Sequence, residues 1–391
     1  MPYSLLPPQA RRALLLLLAL ATFIPLAPAF SYAANELIQQ SPVKDRQPID
    51  LASDRYRRLF AELREQHAFT PQQLAALFTG VTIKKQAIDL MNRPGEGKPY
   101  YQYRDLFITS AMIETGRRKM RENKTTLDRI ERELGVDRQF VIAIWGIETQ
   151  FGRNTGNFNV FQVLNTLFDA YPRRSEFFRQ ELIEFLLLCR ETGLDPHSVK
   201  GSYAGAFGQT QFMPSSFRRY AVSFDGNARP DVFHSTPDIL ASIANYLKHF
   251  GWRLRAPLYA DIGGDLLSLP LIKAYREGRQ GRIAWRQVVE AQKRDIPQPA
   301  DGGGLAIVGL EEAGGGMRYL AAYGNYQAIV AWNNSNRYAM VVTELAEAIA
   351  RPRHEAGLPT STIQRAGIRP SQPSLTKDPA SGLTDRLNQN D

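Results

Sequence analysis

One acidic residue, Glu148, lies in an otherwise apolar stretch that runs from Phe140 to Gly152. On a helix with about 100° per residue, its side chain projects between Val141 and Ile144, inside the apolar stripe. Removal from water disfavours the charged form of a carboxyl group, so a glutamate buried at this position is expected to keep its proton near neutral pH. A protonated carboxyl group that faces a cleft can act as a general acid.

A structural role for Glu148 is the alternative interpretation. Its carboxylate could pair with an arginine elsewhere in the chain or cap a helix end, and buried carboxyl groups serve such roles as well as catalysis. The apolar stretch alone does not decide between the two. It does predict a helix, because Asp137 precedes it as a candidate N-cap and Gly152 follows it as a stop signal.

A second unusual stretch, residues 201–217, interleaves small residues with polar ones such as Ser202 and Gln211. Because glycines let the backbone approach a ligand closely, such a surface suits sugars, whose hydroxyl groups need donors and acceptors. A glycine-rich structural turn is the alternative.

Aromatic and basic residues elsewhere are further candidates. Tyr246 lies at the edge of an apolar helical stripe, where it either packs at the boundary with its hydroxyl group in water or lines a cleft. The aromatic run 100–104 includes Tyr103, and plain packing is its simplest explanation. A predicted turn presents two adjacent cations, Arg173 and Arg174.

The composition bounds the class of protein. With 391 residues, of which 43% are apolar, the chain can bury a sizeable core as one large domain or two modest ones. Its net charge of +9 favours an acidic polymer as partner. The basic residues are scattered, so nucleic-acid binding is not expected. The five histidines are far apart in the sequence, which argues against an HExxH zinc site, and no metal or other cofactor is expected.

The first 33 residues have the features of a secretory signal, namely two arginines, an apolar run and a small-x-small site that ends at Ala33. We therefore expect a periplasmic protein, in contact with the membrane only if this segment stays uncleaved. The single cysteine, Cys189, lies in an apolar helical stripe and is predicted to be part of the core. Export without an internal disulfide suits a bacterial envelope protein.

The elements that must position these candidates are mostly helical. Besides the Glu148 helix, the apolar period and the cap signals predict helices over 51–67, from Thr70–Pro71, over 106–134, around Cys189, from Thr236–Pro237 and over 338–350. Residues from about 256 to 325 contain more glycine and short apolar runs, which predicts a small strand-rich subdomain. Residues 34–54 are expected to form a polar tether, and residues 351–391 a disordered tail.

Four separated motifs stand in a fixed order along the chain. They are Gly146-Ile147-Glu148-Thr149 with Gly152, then Tyr171-Pro172-Arg173-Arg174, then Ser202-Tyr203-Ala204-Gly205-Ala206 continuing to Gln211-Phe212-Met213-Pro214-Ser215-Ser216, and finally Asn333-x-Ser335-x-x-Tyr338-Ala339. Together they resemble the membrane-bound lytic murein transglycosylase B family of bacterial cell-wall enzymes. The likeness spans about residues 55–350.

The resemblance implies a mainly α, lysozyme-like (α+β) catalytic core over residues 55–350, with Glu148 as the sole catalytic carboxyl group. It also implies a set of substrate contacts, which would be Ser202, Gln211, Tyr246, Asn333 and Tyr338 in the cleft, with Tyr103, Arg173 and Arg174 against the glycan and its peptide or lactyl groups. The implied reaction cleaves the β-1,4 bond between MurNAc and GlcNAc and leaves a 1,6-anhydromuramoyl end. We expect a monomer whose partner is the glycan strand of peptidoglycan.

Two alternatives to a lytic transglycosylase remain at this stage, a hydrolytic lysozyme-like enzyme and a non-catalytic glycan-binding protein of the envelope. The chain also departs from the family in two respects. It has no lipobox. Some members have a calcium loop of EF-hand type, but here the matching residues 223–234 place Ala228 where the sharp turn needs glycine and His234 where a bidentate acid belongs, so no tight calcium site is expected.

Overall fold

The computed structural model describes residues 43–92, 98–300 and 302–351. The predicted signal segment and nearly all of the predicted tail lie outside these residues. Within the described ranges, every helix is too short or too polar to span a bilayer.

The described residues are mostly helical, as the sequence predicts. The α-helices in chain order are α1 (Asp54–Glu65), α2 (Pro71–Phe78), α3 (Lys85–Met91), α4 (Tyr100–Arg104), α5 (Ser110–Glu122), α6 (Lys124–Leu134), α7 (Arg138–Thr149), α8 (Val160–Ala170), α9 (Ser175–Thr192), α10 (Pro214–Tyr220), α11 (Thr236–His249), α12 (Leu269–Arg276), α13 (Trp285–Gln292), α14 (Gly324–Asn333) and α15 (Asn336–Ala350). Two 3-10 turns follow the helices α8 and α12, at Pro172–Arg174 and Gly278–Gln280.

Two small antiparallel sheets complete the architecture. The strands are β1 (Phe158–Asn159), β2 (Lys200–Gly201), β3 (Tyr259–Gly263), β4 (Ala306–Glu311) and β5 (Met317–Ala322). The pair β1–β2 ties the start of α8 to the loop after α9, and the second sheet has the strand order β3-β5-β4. Strand β5 is central and pairs Ala306 of β4 with Ala322.

Helix α7 lies at the centre of the core because it is apolar on nearly all sides. The side chains from Val141 to Ile144 are fully buried, and helices α5, α6, α11 and α15 pack around them. A helix that is hydrophobic over its whole circumference must be enclosed. The acidic residue near its C-terminal end is therefore enclosed with it.

Helix α7 ends at Thr149 because the backbone then turns left-handed for three residues. The φ angles are 50° at Gln150, 61° at Phe151 and 86° at Gly152. The Thr149 hydroxyl oxygen stabilises this turn by accepting a hydrogen bond from the Gly152 backbone N–H at 3.0 Å. A Cβ atom at Gly152 would lie 2.3 Å from the side-chain oxygen of Gln209, so the close approach also requires glycine.

Two helical predictions differ from the structure in their boundaries. The single charged helix predicted over 106–134 is two helices, α5 and α6, which meet at Asn123. The Asn123 side-chain amide donates to the Lys119 carbonyl at 2.9 Å, and side-chain bonds of this kind compete with the helical ones. The N-cap of α11 is Ser235 rather than Thr236, because the Ser235 hydroxyl oxygen accepts from the Asp238 backbone N–H.

The chain packs onto the body earlier than the predicted tether allows. The Arg46 backbone N–H donates to the Ile83 carbonyl at 2.8 Å, Pro48 pairs with Thr82 in an isolated β-bridge, and Ile49 is buried. The described part of the predicted tether therefore belongs to the body rather than to a solvated linker.

The predicted strand-rich subdomain contains more helix than expected. Its sheet and the helices α12 and α13 enclose a separate apolar cluster that includes Ile262, Leu271, Val288 and Ile307. The two helices are eight residues long, which is too short for a clear apolar period between glycine-rich turns.

Candidate active site

Glu148 lies in the last turn of α7 and is buried, with 6% of its surface exposed. Two donors bind the same carboxyl oxygen. The Trp332 indole N–H donates to Oε1 at 2.8 Å and the Tyr338 hydroxyl group donates to it at 2.7 Å. Because a carboxyl oxygen has two lone pairs, these two donors occupy both acceptor sites on Oε1.

The two donors are held by consecutive helices with a tight turn between them. Trp332 lies in the last turn of α14, and Asn334, which follows that helix, adopts φ 37°. Ser335 caps α15 by accepting from the Tyr338 backbone N–H at 3.2 Å. The motif that begins at Asn333 therefore forms the turn between α14 and α15. The change of chain direction at this turn brings Trp332 and Tyr338 within hydrogen-bond distance of Glu148.

Tyr246 packs against the same indole. Its ring centroid lies 4.7 Å from that of Trp332, and Phe212 lies 5.2 Å from Trp332. The Tyr246 hydroxyl group donates to the Ala331 carbonyl at 2.6 Å. Of the two interpretations from the sequence, boundary packing with the hydroxyl group in water is wrong, because the hydroxyl group bonds to the backbone.

Most of the stretch 201–217 is a loop that leads into α10, and the polar side chains of this loop bind backbone groups. The Ser202 hydroxyl oxygen accepts from the Ala204 and Ala206 backbone N–H groups at 3.3 and 3.1 Å. The Gln211 amide donates to the Thr155 and Gly208 carbonyls at 3.1 and 2.8 Å. Both side chains are buried, so they fix the conformation of the loop.

Gln209 connects this loop to the Glu148 helix. Its side-chain oxygen accepts from the Trp145 indole N–H at 2.9 Å, and its amide donates to the Phe233 carbonyl at 2.8 Å. The backbone carbonyl of Gln209 accepts from the Thr149 hydroxyl group at 3.2 Å. The first and third motifs are thus joined by hydrogen bonds directly beside the carboxyl group.

A cavity of about 240 Å³ lies next to this centre. Trp332 belongs both to its wall and to the partners of Glu148. Three residues that the sequence singled out also line the cavity, namely Arg174, Tyr246 and Asn333. Trp332 therefore links Glu148 to the cavity wall.

The other predicted contacts lie outside the lining of that cavity. Arg173 is on the exposed face of the 3-10 turn, and Ser202 and Gln211 stabilise the loop. Tyr103 is buried on α4, a helix that is fixed to α15 because the Tyr100 hydroxyl group donates to Glu344 at 2.9 Å.

Asn333 has a feature that points to a ligand. It is 2% exposed, and its side-chain oxygen is buried without a hydrogen-bond partner among the described residues. Buried polar atoms are nearly always paired, so such an acceptor needs an explanation. A donor group on a ligand in the cavity would satisfy it.

Sequence reasoning missed a second buried acid, Glu181 on α9. Its carboxylate accepts from the Ser215 hydroxyl group at 2.6 Å and from the Ser215 backbone N–H at 2.9 Å, and it also lines the cavity. Burial raises the pKa of Glu181 above its ordinary value. A signal was available, because Glu181 stands three residues after Phe178 and four before Phe185, inside an apolar stripe.

The loop that corresponds to the calcium site of some relatives is organised around Asp238. Its carboxylate accepts from the backbone N–H groups of Phe224 at 2.6 Å, Asp225 at 3.1 Å and Asp231 at 2.8 Å. The Asp225 side chain in turn accepts from the Ser235 hydroxyl group at 2.8 Å. In the described ranges, no three His, Cys, Asp or Glu side chains are grouped to hold a metal ion. The carboxylates of Asp225 and Asp238 thus bind N–H and O–H donors of the same loop and of the helix start.

A helical body around the buried Glu148, with a small sheet subdomain, is the architecture of a lysozyme-like lytic transglycosylase. The chain belongs to the family described as the transglycosylase SLT domain, whose profile matches residues 52–347.

Similar proteins support the same assignment. The chain is 31% identical to membrane-bound lytic murein transglycosylase B of Escherichia coli (strain K12) over 297 residues, which cover 73% of this chain and 80% of that protein. The crystal structure of the soluble lytic transglycosylase SltB1 from Pseudomonas aeruginosa matches with a TM-score of 0.67 and 35% identity, over 75% of this chain and 97% of that one. SltB3 from Pseudomonas aeruginosa in complex with NAG-anhNAM-pentapeptide matches with a TM-score of 0.62 and 29% identity, over 75% and 78% of the two chains.

Proposed function

We propose that the protein cleaves the β-1,4 bond between MurNAc and GlcNAc in peptidoglycan strands in the periplasm and leaves a 1,6-anhydromuramoyl end. The observation that carries the proposal is the buried Glu148, whose Oε1 accepts from Trp332 and Tyr338 beside a cavity. Membership of the transglycosylase family supports the choice of reaction.

In the proposed first step, Glu148 is the general acid. Its proton moves to the glycosidic oxygen, the bond from that oxygen to C1 of MurNAc breaks, and the GlcNAc side leaves as an alcohol. The MurNAc N-acetyl group can stabilise the cation at C1. Ordinary glycoside hydrolysis needs a second carboxylate as nucleophile or base, whereas this step does not.

In the second step, the same carboxylate is the base. It removes the proton from the C6 hydroxyl group of MurNAc, and the C6 oxygen forms the new bond to C1. The proton returns to Glu148, so the enzyme is restored without water entering the product. The hydrogen bonds from Trp332 and Tyr338 support this cycle, because they hold Oε1 and stabilise the carboxylate that exists between the two steps.

The cavity beside Trp332 supports a substrate with sugar-like chemistry. It combines the aromatic rings of Tyr246 and Trp332 with the unpaired acceptor of Asn333, and sugars offer apolar ring faces together with hydroxyl and amide donors. SltB3 was crystallised with a glycan that bears a pentapeptide. We infer that this chain acts on the same polymer.

Glu148→Gln tests the proposal. The substituted amide keeps an acceptor oxygen for both donors but has no proton to transfer, so the fold should be retained while the release of muropeptides from purified sacculi falls by roughly 10² or more. Circular dichroism and the thermal midpoint check the fold. Substantial cleavage by this variant, with an intact fold, would refute the role of Glu148.

The mass of the products decides between the proposed reaction and its two alternatives. A transglycosylase releases anhydro products, whereas a lysozyme-like hydrolase releases products that are heavier by one water. A non-catalytic glycan-binding protein would sediment with sacculi and release nothing. We expect the anhydro masses from the wild-type protein.

A further inference from the structure

The cavity beside Trp332 contains cations that the single-glutamate reaction does not use. Arg174 lines it from the 3-10 turn before α9. Arg279 lines it from the small subdomain, where the 3-10 turn Gly278–Gln280 faces the end of α14. Guanidinium groups present planar sets of donors that match carboxylates. Glu181 also lines the cavity, but Ser215 binds its carboxylate, so the two guanidinium groups indicate an anionic ligand.

Arg279 is held on both sides. Its guanidinium group donates to the Asn334 side-chain oxygen, 55 residues further along the chain. On the other side, the Arg282 guanidinium group donates to the carbonyls of Arg279 and Gly281 at 2.7 and 2.8 Å. A Cβ atom at Gly281 would lie 2.1 Å from the Ala274 carbonyl oxygen, so the turn packs directly on α12. The fold therefore positions this cation.

The contact of Arg279 with Asn334 leaves donors for a ligand, because a guanidinium group has five N–H donors. Arg174 is oriented as well. Its guanidinium group lies over the Phe177 ring, 4.1 Å from the centroid, and stacking on a ring face fixes the plane in which the N–H donors lie.

An uncharged residue in the cavity lining, Asn333, restricts the chemical class of the ligand further. The Asn333 side-chain oxygen has no hydrogen-bond partner among the described residues, so the ligand should carry an N–H or O–H donor close to its anionic group. Of the two sugars in the strand, only muramic acid has a lactyl group, which ends in a carboxylate or continues through an amide into a stem peptide with carboxylates of its own. Both forms combine an anion with nearby donors.

The family resemblance already implies that Arg174 contacts the lactyl or peptide groups. We propose that Arg279 is a further, specificity-determining residue, which binds a carboxylate attached to muramic acid from the other side of the cavity. This inference rests on the proposed function and deepens it. It makes the small subdomain a part of substrate selection, because Arg279 is its contribution to the cavity.

The test compares Arg279→Gln with Arg276→Gln. The control changes the same charge in the same subdomain, at an exposed position of α12 outside the cavity lining. For Arg279→Gln we expect KM on muramic-acid strands to rise about ten-fold, the scale of one charge-assisted contact, with kcat within about two-fold of wild type. Arg276→Gln should leave both parameters unchanged.

Two substrates distinguish the sources of the carboxylate. Strands stripped of peptide by an amidase expose the lactyl carboxylate, whereas peptide-bearing strands have it bound in an amide and offer only peptide carboxylates. A rise of KM on stripped strands assigns the contact to the lactyl group, and a rise on peptide-bearing strands assigns it to the stem peptide. An unchanged KM on both overturns the proposal.

A merely structural role for Arg279 predicts a different pattern. Neutral oligomers of GlcNAc have no carboxylate. We therefore expect the Glu148→Gln protein and the double variant Glu148→Gln/Arg279→Gln to bind them with the same affinity. An equal loss of affinity for neutral and anionic ligands overturns the proposal. Arg279→Lys keeps the charge without the planar fork and should restore part of the lost affinity. If the wild-type protein releases no products from sacculi, the proposed function fails instead, which is a separate result.

Discussion

At the scale of single residues, the site depends on two hydrogen bonds that share one acceptor atom. Tyr338 and Trp332 both donate to Oε1 of Glu148, and they reach it from the two helices of one reversal. Hydrogen bonds to a charged group stabilise it by about 1.5–3 kcal/mol each. The carboxylate that forms when the proton leaves should therefore depend on both donors.

Tyr338→Phe removes one donor and leaves the indole on Oε1. We expect kcat to fall by about 10- to 100-fold because the intermediate carboxylate loses this stabilisation, while the thermal midpoint changes little. The measurement is the rate of anhydro-muropeptide release. Tyr56→Phe is a matched control, since this buried hydroxyl group bonds to Asn165, and neither residue lines the cavity or donates to Oε1 of Glu148. Equal rates for the two variants would show that Tyr338 does not support the reaction.

The sequence predicts the identity of the buried acid but not all of its surroundings. Glu148 is predictable because a carboxyl group inside an apolar period must be buried, and Tyr338 and Asn333 stand in a motif. Trp332 directly precedes that motif in an apolar run, where a tryptophan is equally expected as core. Arg279 has no local signal, because its place in the cavity depends on how the small subdomain packs against α14.

At the scale of elements, Glu181 on helix α9 binds the first turn of helix α10. The carboxylate accepts two hydrogen bonds from Ser215, which lies in the first turn of helix α10 beside the cavity. Burial raises the pKa of Glu181 in the folded state, so the folded protein binds this proton more tightly than the unfolded chain does. The free energy of unfolding therefore falls as the pH rises from the ordinary glutamate range through the raised pKa.

Glu181→Gln should flatten this pH dependence. The amide can accept from the Ser215 backbone N–H and donate to its hydroxyl oxygen, so both contacts are kept without a buried charge. Urea unfolding at acidic and mildly alkaline pH measures the difference, and the variant should lose less stability than wild type as the pH rises. Glu290→Gln, an exposed change on α13, should behave like wild type. A decline in Glu181→Gln as steep as that of wild type would contradict the assignment.

The elements show where sequence patterns suffice. The capping signal at Thr70–Pro71 predicts a helix, and α2 begins there with a complete capping box. Cys189 is core as predicted, and burial raises the pKa of its thiol to about 12. The break between α5 and α6 was not predictable from the period, because one asparagine, whose side-chain amide donates to the Lys119 carbonyl, interrupts an otherwise continuous charged pattern.

At the scale of the whole molecule, the net positive charge should strengthen binding to the polymer without changing the rate of the chemical step. Scattered exposed cations attract an anionic strand over a distance that salt shortens, from about 30 Å at 0.01 M to about 3 Å at 1 M. In the binding mode proposed above, discrimination between polymers then depends on the cavity, which would bind sugar and carboxylate groups together.

Binding of the Glu148→Gln protein to sacculi should weaken as the salt concentration rises, while kcat of the wild-type protein at saturating substrate stays within about two-fold. Co-sedimentation and turnover measure the two effects. Double-stranded DNA is the control polymer, used at a phosphate concentration equal to the carboxylate concentration of the sacculi. We expect the protein to release DNA at a lower salt concentration than sacculi. Retention of DNA that equals retention of sacculi at every salt concentration would contradict selection by the cavity.

The enclosure of α7 by its neighbours also determines how the protein loses activity. Backbone amide hydrogens in such a segment exchange with deuterium only through global opening, with the full free energy of unfolding as the barrier. The carboxyl group that we propose to be catalytic thus lies in a segment that we expect to be among the last to open. Local opening of surface elements should leave Glu148 in position, whereas opening of α7 should unfold the core. We therefore expect enzymatic activity and the folded structure to be lost together.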